Sequence, residues 1–196
     1  MAEPGTSIRR EMRPGDLGAI IEMHGRVYAR EHGNDERFEA MVAATVARAG
    51  QRGFPSEREG IWIVERDGDF SGSLALTDEG DDTATVRWFL LNPELRGSGL
   101  GRRMLTELVA EAREHGYSRL CLETFSLLRA AARLYLSFGF EVVSTDTAPR
   151  WGHAAIDYQR YELELSAEPQ STRTTAPPRR GSPPPSSLPS ASRATA

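Results

Sequence analysis

The sequence predicts an α/β fold: a mixed, mostly antiparallel sheet of about seven strands with helices on both faces. Three observations predict it. The runs Ile61–Glu65, Thr83–Leu91 and Arg119–Phe125 are β-branched and aromatic and have the length of strands. Between such runs lie segments with a single apolar helical face. A glycine-rich loop, Arg96-Gly97-Ser98-Gly99-Leu100-Gly101, joins the second of these strands to a helix.

The elements follow in order. Ser7–Met12 alternates weakly and reads as a first strand. Pro14-Gly15-Asp16 starts a helix with Asp16 as its expected N-cap. Leu17, Ile20, Ile21, His24, Val27 and Tyr28 line one face of that helix. Gly33-Asn34-Asp35 breaks it. A second helix covers Glu36–Ala49 with Phe38, Met41, Val42, Thr45 and Val46 inward, and Gln51–Gly60 is a polar loop. Ile61–Glu65, the turn Asp67-Gly68-Asp69 and Ser71–Thr77 form a hairpin. The acidic turn Asp78–Asp82 leads into Thr83–Leu91, which Asn92-Pro93 stops. After the glycine loop, Leu100, Met104, Leu108, Val109 and Ala112 share a helical face, and Gly116 ends that helix. Arg119–Phe125 is a strand. A short helix over Leu127–Phe138 stops at Gly139. Glu141–Ser144 is a strand, Thr145–Ala155 a loop and Tyr158–Leu165 the last strand.

The glycine loop carries the first chemical signal. Alternating glycines leave little side chain, so backbone N–H groups can approach a ligand. The following helix begins with unpaired N–H groups and the positive end of its dipole, a ready place for phosphate. Arg102 and Arg103 stand in its first turn, where a cation opposes the dipole unless an anion lies above it. The bland reading is a turn with arginine used for solubility. A dinucleotide fingerprint is excluded, because its third glycine would come one residue later and the loop would follow the strand directly. A P-loop is excluded too, since no Gly-Lys-Ser/Thr follows.

The pattern Arg-x-x-Gly-x-Gly, then a helix and a strand, then Ala131-Ala132-Arg133-Leu134-Tyr135-Leu136-Ser137-Phe138-Gly139-Phe140, resembles the GNAT N-acetyltransferases. His24–Gly33 and Trp151-Gly152-His153 resemble one subgroup, the acetyltransferase domain fused behind a MarR-type winged-helix regulator. The resemblance covers about residues 6–165, and the sequence contains no winged-helix domain.

The resemblance implies an acetyl-CoA-dependent transfer of an acetyl group to the amine of a small molecule or peptide. It implies that Gly97, Ser98, Gly99, Gly101 and Arg102 hold the pyrophosphate with Arg96 adding charge. Leu90 and Leu91 would pair with the pantetheine arm where two strands splay, a backbone N–H near Leu90 receiving the thioester carbonyl. Tyr135 matches the family tyrosine that protonates the leaving thiolate; an unperturbed phenol has a pKa near 10. The alternative for Tyr135 is packing beneath the sheet. Two departures stand out. Leu128 replaces the asparagine with which many relatives hold the cofactor arm, which leaves Ser126 or Thr124 for that task. No carboxylate lies on Thr83–Leu91, where many relatives carry a general base. Glu123 on the neighbouring strand is the substitute, facing either the gap or the helices; His24 and Glu31 are other candidates. The amine would meet His24, Tyr28, Glu31, Trp151 and His153, an aromatic and acidic set suited to a small cation. His24 and Tyr28 read equally well as core residues of an amphipathic helix. A domain that binds acyl-CoA as a sensor, with little turnover, is the alternative function.

Composition narrows the classes. With 24 basic and 28 acidic residues the formal charge is −4, which opposes general nucleic-acid binding. Every basic side chain is arginine. No apolar run approaches a membrane span, and Met1–Arg10 has no signal-like stretch. The lone Cys121 lies mid-strand and reads as a small core residue. No metal-ligand pattern stands out. A cytoplasmic monomer or homodimer is expected. Residues 1–166 form the domain, and Pro-, Ser- and Arg-rich 167–196 reads as a disordered tail.

Overall fold

The computed structural model describes residues 5–165; the expected tail 167–196 lies outside them. The chain runs β1 (Thr6–Arg9), α1 (Asp16–His32), α2 (Glu36–Gln51), β2 (Gly60–Arg66), β3 (Asp69–Gly80) and β4 (Thr83–Leu91). After a 3-10 turn at Pro93–Leu95 come α3 (Leu100–Glu114), β5 (Arg119–Phe125), α4 (Arg129–Ser137), β6 (Glu141–Arg150) and β7 (His153–Glu164). The strands form one sheet in the order β1-β2-β3-β4-β5-β7-β6. Every pairing is antiparallel except β4 with β5. That is the mixed sheet the sequence predicts.

Two apolar cores lie on its two faces. Ile20, Val27, Tyr28, Phe38, Val42 and Val46 of α1 and α2 pack on Ile61, Ile63, Ala75, Trp88 and Leu90. Met104, Leu105 and Leu108 of α3 and Tyr135 of α4 pack with Trp62, Leu74, Leu76, Leu120 and Leu122. The alternating strand residues thus divide between two helical layers, as strand geometry requires.

Several boundaries differ from expectation. Asp16 is not an N-cap: Gly15 occupies that position with φ 100° and no side-chain cap bond. Asp16 instead takes a two-pronged hydrogen bond from Arg9, at 2.8 and 2.9 Å, tying β1 to α1 inside the protein. The largest correction is at the C-terminal side. The expected loop Thr145–Ala155 is a hairpin, with Arg150 opposite His153 and only Trp151-Gly152 between them. Both turn residues have positive φ, 49° and 89°, the conformation that fits the twist of paired strands. Tryptophan disfavours that conformation, so the sequence carries only half of the usual signal. The burial of Trp151 supplies the rest.

Candidate functional site

The site starts from a gap in the sheet. β4 and β5 pair only from Thr83 opposite Arg119 to Thr85 opposite Cys121. Beyond that the strands separate, although β4 runs on to Leu91 and β5 to Phe125. A bulge in β4 sets the separation. Ser73 lies opposite Leu90 while Ala75 lies opposite Arg87, so β4 carries one extra residue there. Trp88 sits in the bulge with φ 47°, its carbonyl accepting from Ser73 Oγ at 2.6 Å and its indole N–H donating to Thr45 at 3.1 Å. The bulge exchanges the two faces of the strand. Ala84 and Val86 belong to the α3 core, but Trp88 and Leu90 belong to the α1–α2 core.

On one side of the gap lies a groove of about 630 Å³. Its walls are Tyr28, Glu31 and His32 of α1, Phe89–Leu91, Gly97, Gly99, Gly101 and Arg102, and residues 127–131 and 133–135 around α4. Gly97 and Gly99 have φ 80° and 87°, and a Cβ added to either would meet nothing within 4 Å. The first turn of α3 has no acidic residue, and its N-cap Gly99 offers no side-chain acceptor. Arg96, Arg102, Arg129 and Arg133 all line the groove. This surface can take an elongated ligand bearing phosphates.

On the other side of the gap lies a chamber of about 120 Å³. Tyr28, Phe38, Trp88, Phe125, Trp151 and Tyr158 supply its aromatic walls, and Glu123 its carboxylate. Phe38 and Trp151 meet edge to face with ring centroids 5.2 Å apart, as do Trp151 and Tyr158 at 5.6 Å. The Tyr158 hydroxyl donates to Glu123 at 3.1 Å. Tyr135 lines both cavities, as do Tyr28, Phe89, Leu128 and Ala131. Burial pushes the Tyr135 phenol well above its usual pKa, so at neutral pH it keeps its proton. Burial also drives the His24 imidazole down to about 4, leaving it neutral, with Nδ1 2.8 Å from the Ile20 carbonyl.

The structure sorts the candidates named from the sequence. Leu90, Leu91, Arg96, Gly97, Gly99, Gly101 and Arg102 meet at the groove, and His24, Tyr28, Glu123, Trp151 and Tyr135 at the chamber. Four candidates are displaced. Ser98 lines neither cavity; it stays exposed on the loop, its hydroxyl donating to the Leu95 carbonyl at 2.9 Å. Ser126 lines neither cavity, and its backbone N–H is taken by Asp157 O at 3.0 Å. His153 also lines neither; Asn34 holds it at 3.1 Å. Glu31 stands on the groove side, paired with Arg96 at 2.7 Å. Burial would raise the Glu31 pKa, but the hydrogen bond and charge of Arg96 outweigh it and keep the carboxyl below its usual range. Arg96 also donates Nε to the Leu91 carbonyl at 3.0 Å, so it braces the end of β4. The expected N–H near Leu90 shifts by one residue. Asn92 N donates across to Ser71 O, and strand alternation then turns the Leu91 amide towards the gap. Sequence reasoning missed His32, Arg129, Arg133, Trp88 and Tyr158. Only the arginines were findable, from their spacing along α4.

A family model described as the acetyltransferase (GNAT) family matches residues 23–140, more than half of the chain. The uncharacterized N-acetyltransferase C1271.07c of Schizosaccharomyces pombe is 31% identical over 169 residues, covering 85% of this chain and 99% of that protein. Camello, a probable N-acetyltransferase of Xenopus tropicalis, is 24% identical over 144 residues, covering 70% of this chain and 64% of its own length. Other curated relatives are matched over 50% and 24% of their lengths, so the chain spans less than two thirds of several proteins that it resembles. Among solved structures, yncA of Salmonella typhimurium, determined with its cofactor acetyl-CoA, superposes with a TM-score of 0.64 at 20% identity, covering 88% of this chain and 99% of yncA.

Proposed function

This chain belongs to the acetyltransferase (GNAT) family, and on that premise we propose that it transfers the acetyl group of acetyl-CoA to the amine of a small molecule. The observation that carries this reading is the meeting of groove and chamber across the β4–β5 gap, with Tyr135 in the wall of both.

The residues present fit acetyl-CoA. The open backbone at Gly97 and Gly99 and the first turn of α3 would take the pyrophosphate, with Arg102, Arg129 and Arg133 supplying charge. Arg96 is left a different part: it positions the loop, being held by Glu31 and by the Leu91 carbonyl. The Leu91 amide faces the gap, where it would stabilise charge on the thioester oxygen. When bound, acetyl-CoA supplies an activated acyl group. The chain's residues then handle two protons. The ammonium form gives one proton to solvent before it attacks, and Glu123, oriented by Tyr158, takes the second from the amine nitrogen as the C–N bond forms. Tyr135 gives its proton to the departing thiolate, so the C–N bond forms and the C–S bond breaks with charge balanced. The chamber is small, aromatic and carries Glu123, which favours a compact cationic amine over a peptide segment.

A panel of small amines incubated with acetyl-CoA, reading released thiol, tests this. Turnover with compact amines, and weaker turnover with peptides, is the expected result. Tight acetyl-CoA binding without turnover on any amine would favour a sensor instead.

A further inference from the structure

The chamber holds two opposite charges that the structure keeps apart. The last pair between β4 and β5 is Thr85 opposite Cys121. The same register, carried two residues further, brings Arg87 level with Glu123 where the strands have begun to separate. Both side chains turn to the same layer. Ala84, Val86, Leu120 and Leu122 belong to the α3 core, so alternation sends Arg87 and Glu123 the other way. Their neighbours agree: Ala75, opposite Arg87, and Phe125, two residues beyond Glu123, belong to the α1–α2 core. Arg87 and Glu123 both line the chamber, one from each of the strands that open it.

A guanidinium and a carboxylate at matching positions on neighbouring strands ordinarily attract each other. Here each is drawn away. Arg87 donates Nη2 to Glu79 of β3 at 3.1 Å, and Glu123 accepts from Tyr158 of β7 at 3.1 Å. Arg160 comes no closer to Glu123 than 3.9 Å and makes its shorter contacts to Glu162 at 2.9 Å and Cys121 at 3.0 Å. Burial raises the Tyr158 phenol pKa, Glu123 adds to the rise and the charge of Arg87 opposes it, so these three groups act on one another. Glu79 is 43% exposed, which makes its pair with Arg87 a weak one. Nε and Nη1 of Arg87 bond nothing among the described residues. The Arg87 side chain is only 24% exposed, so an anion set beside it is partly shielded from water.

An amine that carries its own carboxylate completes both charges. Glu123 must reach the amine nitrogen, which leaves Arg87 for the anion. In an α-amino acid the two groups hang from one carbon, so a single small ligand spans the opening. Its ammonium remains the cation that the aromatic walls favour. We propose that the acceptor is an α-amino acid whose carboxylate is held by Arg87 while its amine meets Glu123; this rests on the acetyltransferase reading above. Arg87 is then the residue that separates amino acids from plain amines and from peptide segments, whose carboxylate is tied up in an amide.

Initial rates with acetyl-CoA and a panel of L-amino acids from alanine to phenylalanine, each beside its own carboxamide, test this. The carboxamide keeps the shape and loses the negative charge. Its amine is the less basic of the two, so a preference for the acid cannot come from easier deprotonation. Wild type should use at least one amino acid about 10- to 100-fold better than its carboxamide in kcat/KM, the range of a hydrogen-bonded charge pair. Arg87→Gln should remove most of that preference by raising KM for the acid far more than KM for the carboxamide. Arg87→Lys should recover part of it, since a point charge remains. Wild type that uses every carboxamide as well as its acid overturns the proposal and leaves the acetyltransferase reading standing. So does a folded Arg87→Gln protein that keeps the preference. Turnover on no amine at all overturns both.

Discussion

The groove and the chamber sit back to back across one gap, yet they are built in different ways. The groove's glycine-rich wall comes from one local segment, residues 96–102, with α4 opposite. It works largely through backbone: positive-φ glycines and the open first turn of a helix. The chamber collects side chains from α1, α2, β4, β5 and the β6–β7 turn, from His24 to Tyr158. Two of its tryptophans, Trp88 and Trp151, hold positive φ, a conformation that costs a non-glycine residue about 1–3 kcal/mol. The difference teaches that a site made of backbone can be assembled locally, whereas a site made of side chains must be held by the fold. Strain gathers in the second kind.

The largest expected effect lies where the two regions meet. Tyr135→Phe should lower kcat about 10²–10⁴-fold while leaving KM for acetyl-CoA and for the amine nearly unchanged. Steady-state kinetics check this; wild-type kcat would reduce Tyr135 to a packing residue.

Next comes the chamber itself. Trp151→Ala removes a buried ring that packs on Phe38, Phe125 and Tyr158. It should cost about 3–5 kcal/mol, a fall in Tm of roughly 10 °C. The surviving folded protein should show a raised KM for the amine and an unchanged Kd for acetyl-CoA. Equal losses at both ligands would mean that groove and chamber are not separable units.

His24 gives the chamber a pH dependence. Its folded pKa of about 4 lies below the ordinary value of 6.5, because burial disfavours the imidazolium. The unfolded chain therefore binds more protons between these values, and stability falls as pH drops through that window, by on the order of 3 kcal/mol in all. Chemical denaturation between pH 7 and pH 4 should show this slope, and His24→Gln should flatten it. The Asp16 carboxyl, held below its ordinary range by Arg9 and by the Arg13 amide against the opposing effect of burial, contributes only at lower pH.

The smallest effect concerns the groove. Glu31 and Arg96 are partly exposed, so their pair should be worth about 0.5–1 kcal/mol. A double-mutant cycle with Glu31→Gln and Arg96→Gln, reading acetyl-CoA affinity, should give a coupling of that size that shrinks in high salt. Additive losses would show that Arg96 acts on the ligand alone.

Much of this molecule is legible in its sequence. The glycine loop and the amphipathic faces of α1 and α3 are local patterns, and the structure forms them; Tyr135, in its Leu-Tyr-x-x-x-Gly-Phe frame, packs in the core and lines both cavities. Glu123 remained open between two faces, because alternation along a strand tells which residues share a side but not what lies there. The pairing of Glu123 with Tyr158 depends on strand β7, whose start was hidden by a hairpin with tryptophan in its turn.

By itself the sequence determined the mixed sheet, the order of its elements and the glycine-rich loop before α3. Each of these rests on contacts between neighbours along the chain, where periodicity and glycine placement act directly. Only the tertiary structure decided which faces of β4 point where. A strict alternation would send Ala84, Val86, Trp88 and Leu90 to one layer; the bulge sends the last two to the other. Likewise it decided that Trp151 closes a hairpin and that Glu31 pairs with Arg96 on the groove side. Left-handed φ at a tryptophan is unfavourable locally. It persists because Trp88 bonds Thr45 and Ser73, and because Trp151 buries its ring and offers its carbonyl to Asp35 N at 3.0 Å. Those partners are far away in sequence, so their stabilising effect cannot be read from the residues beside them.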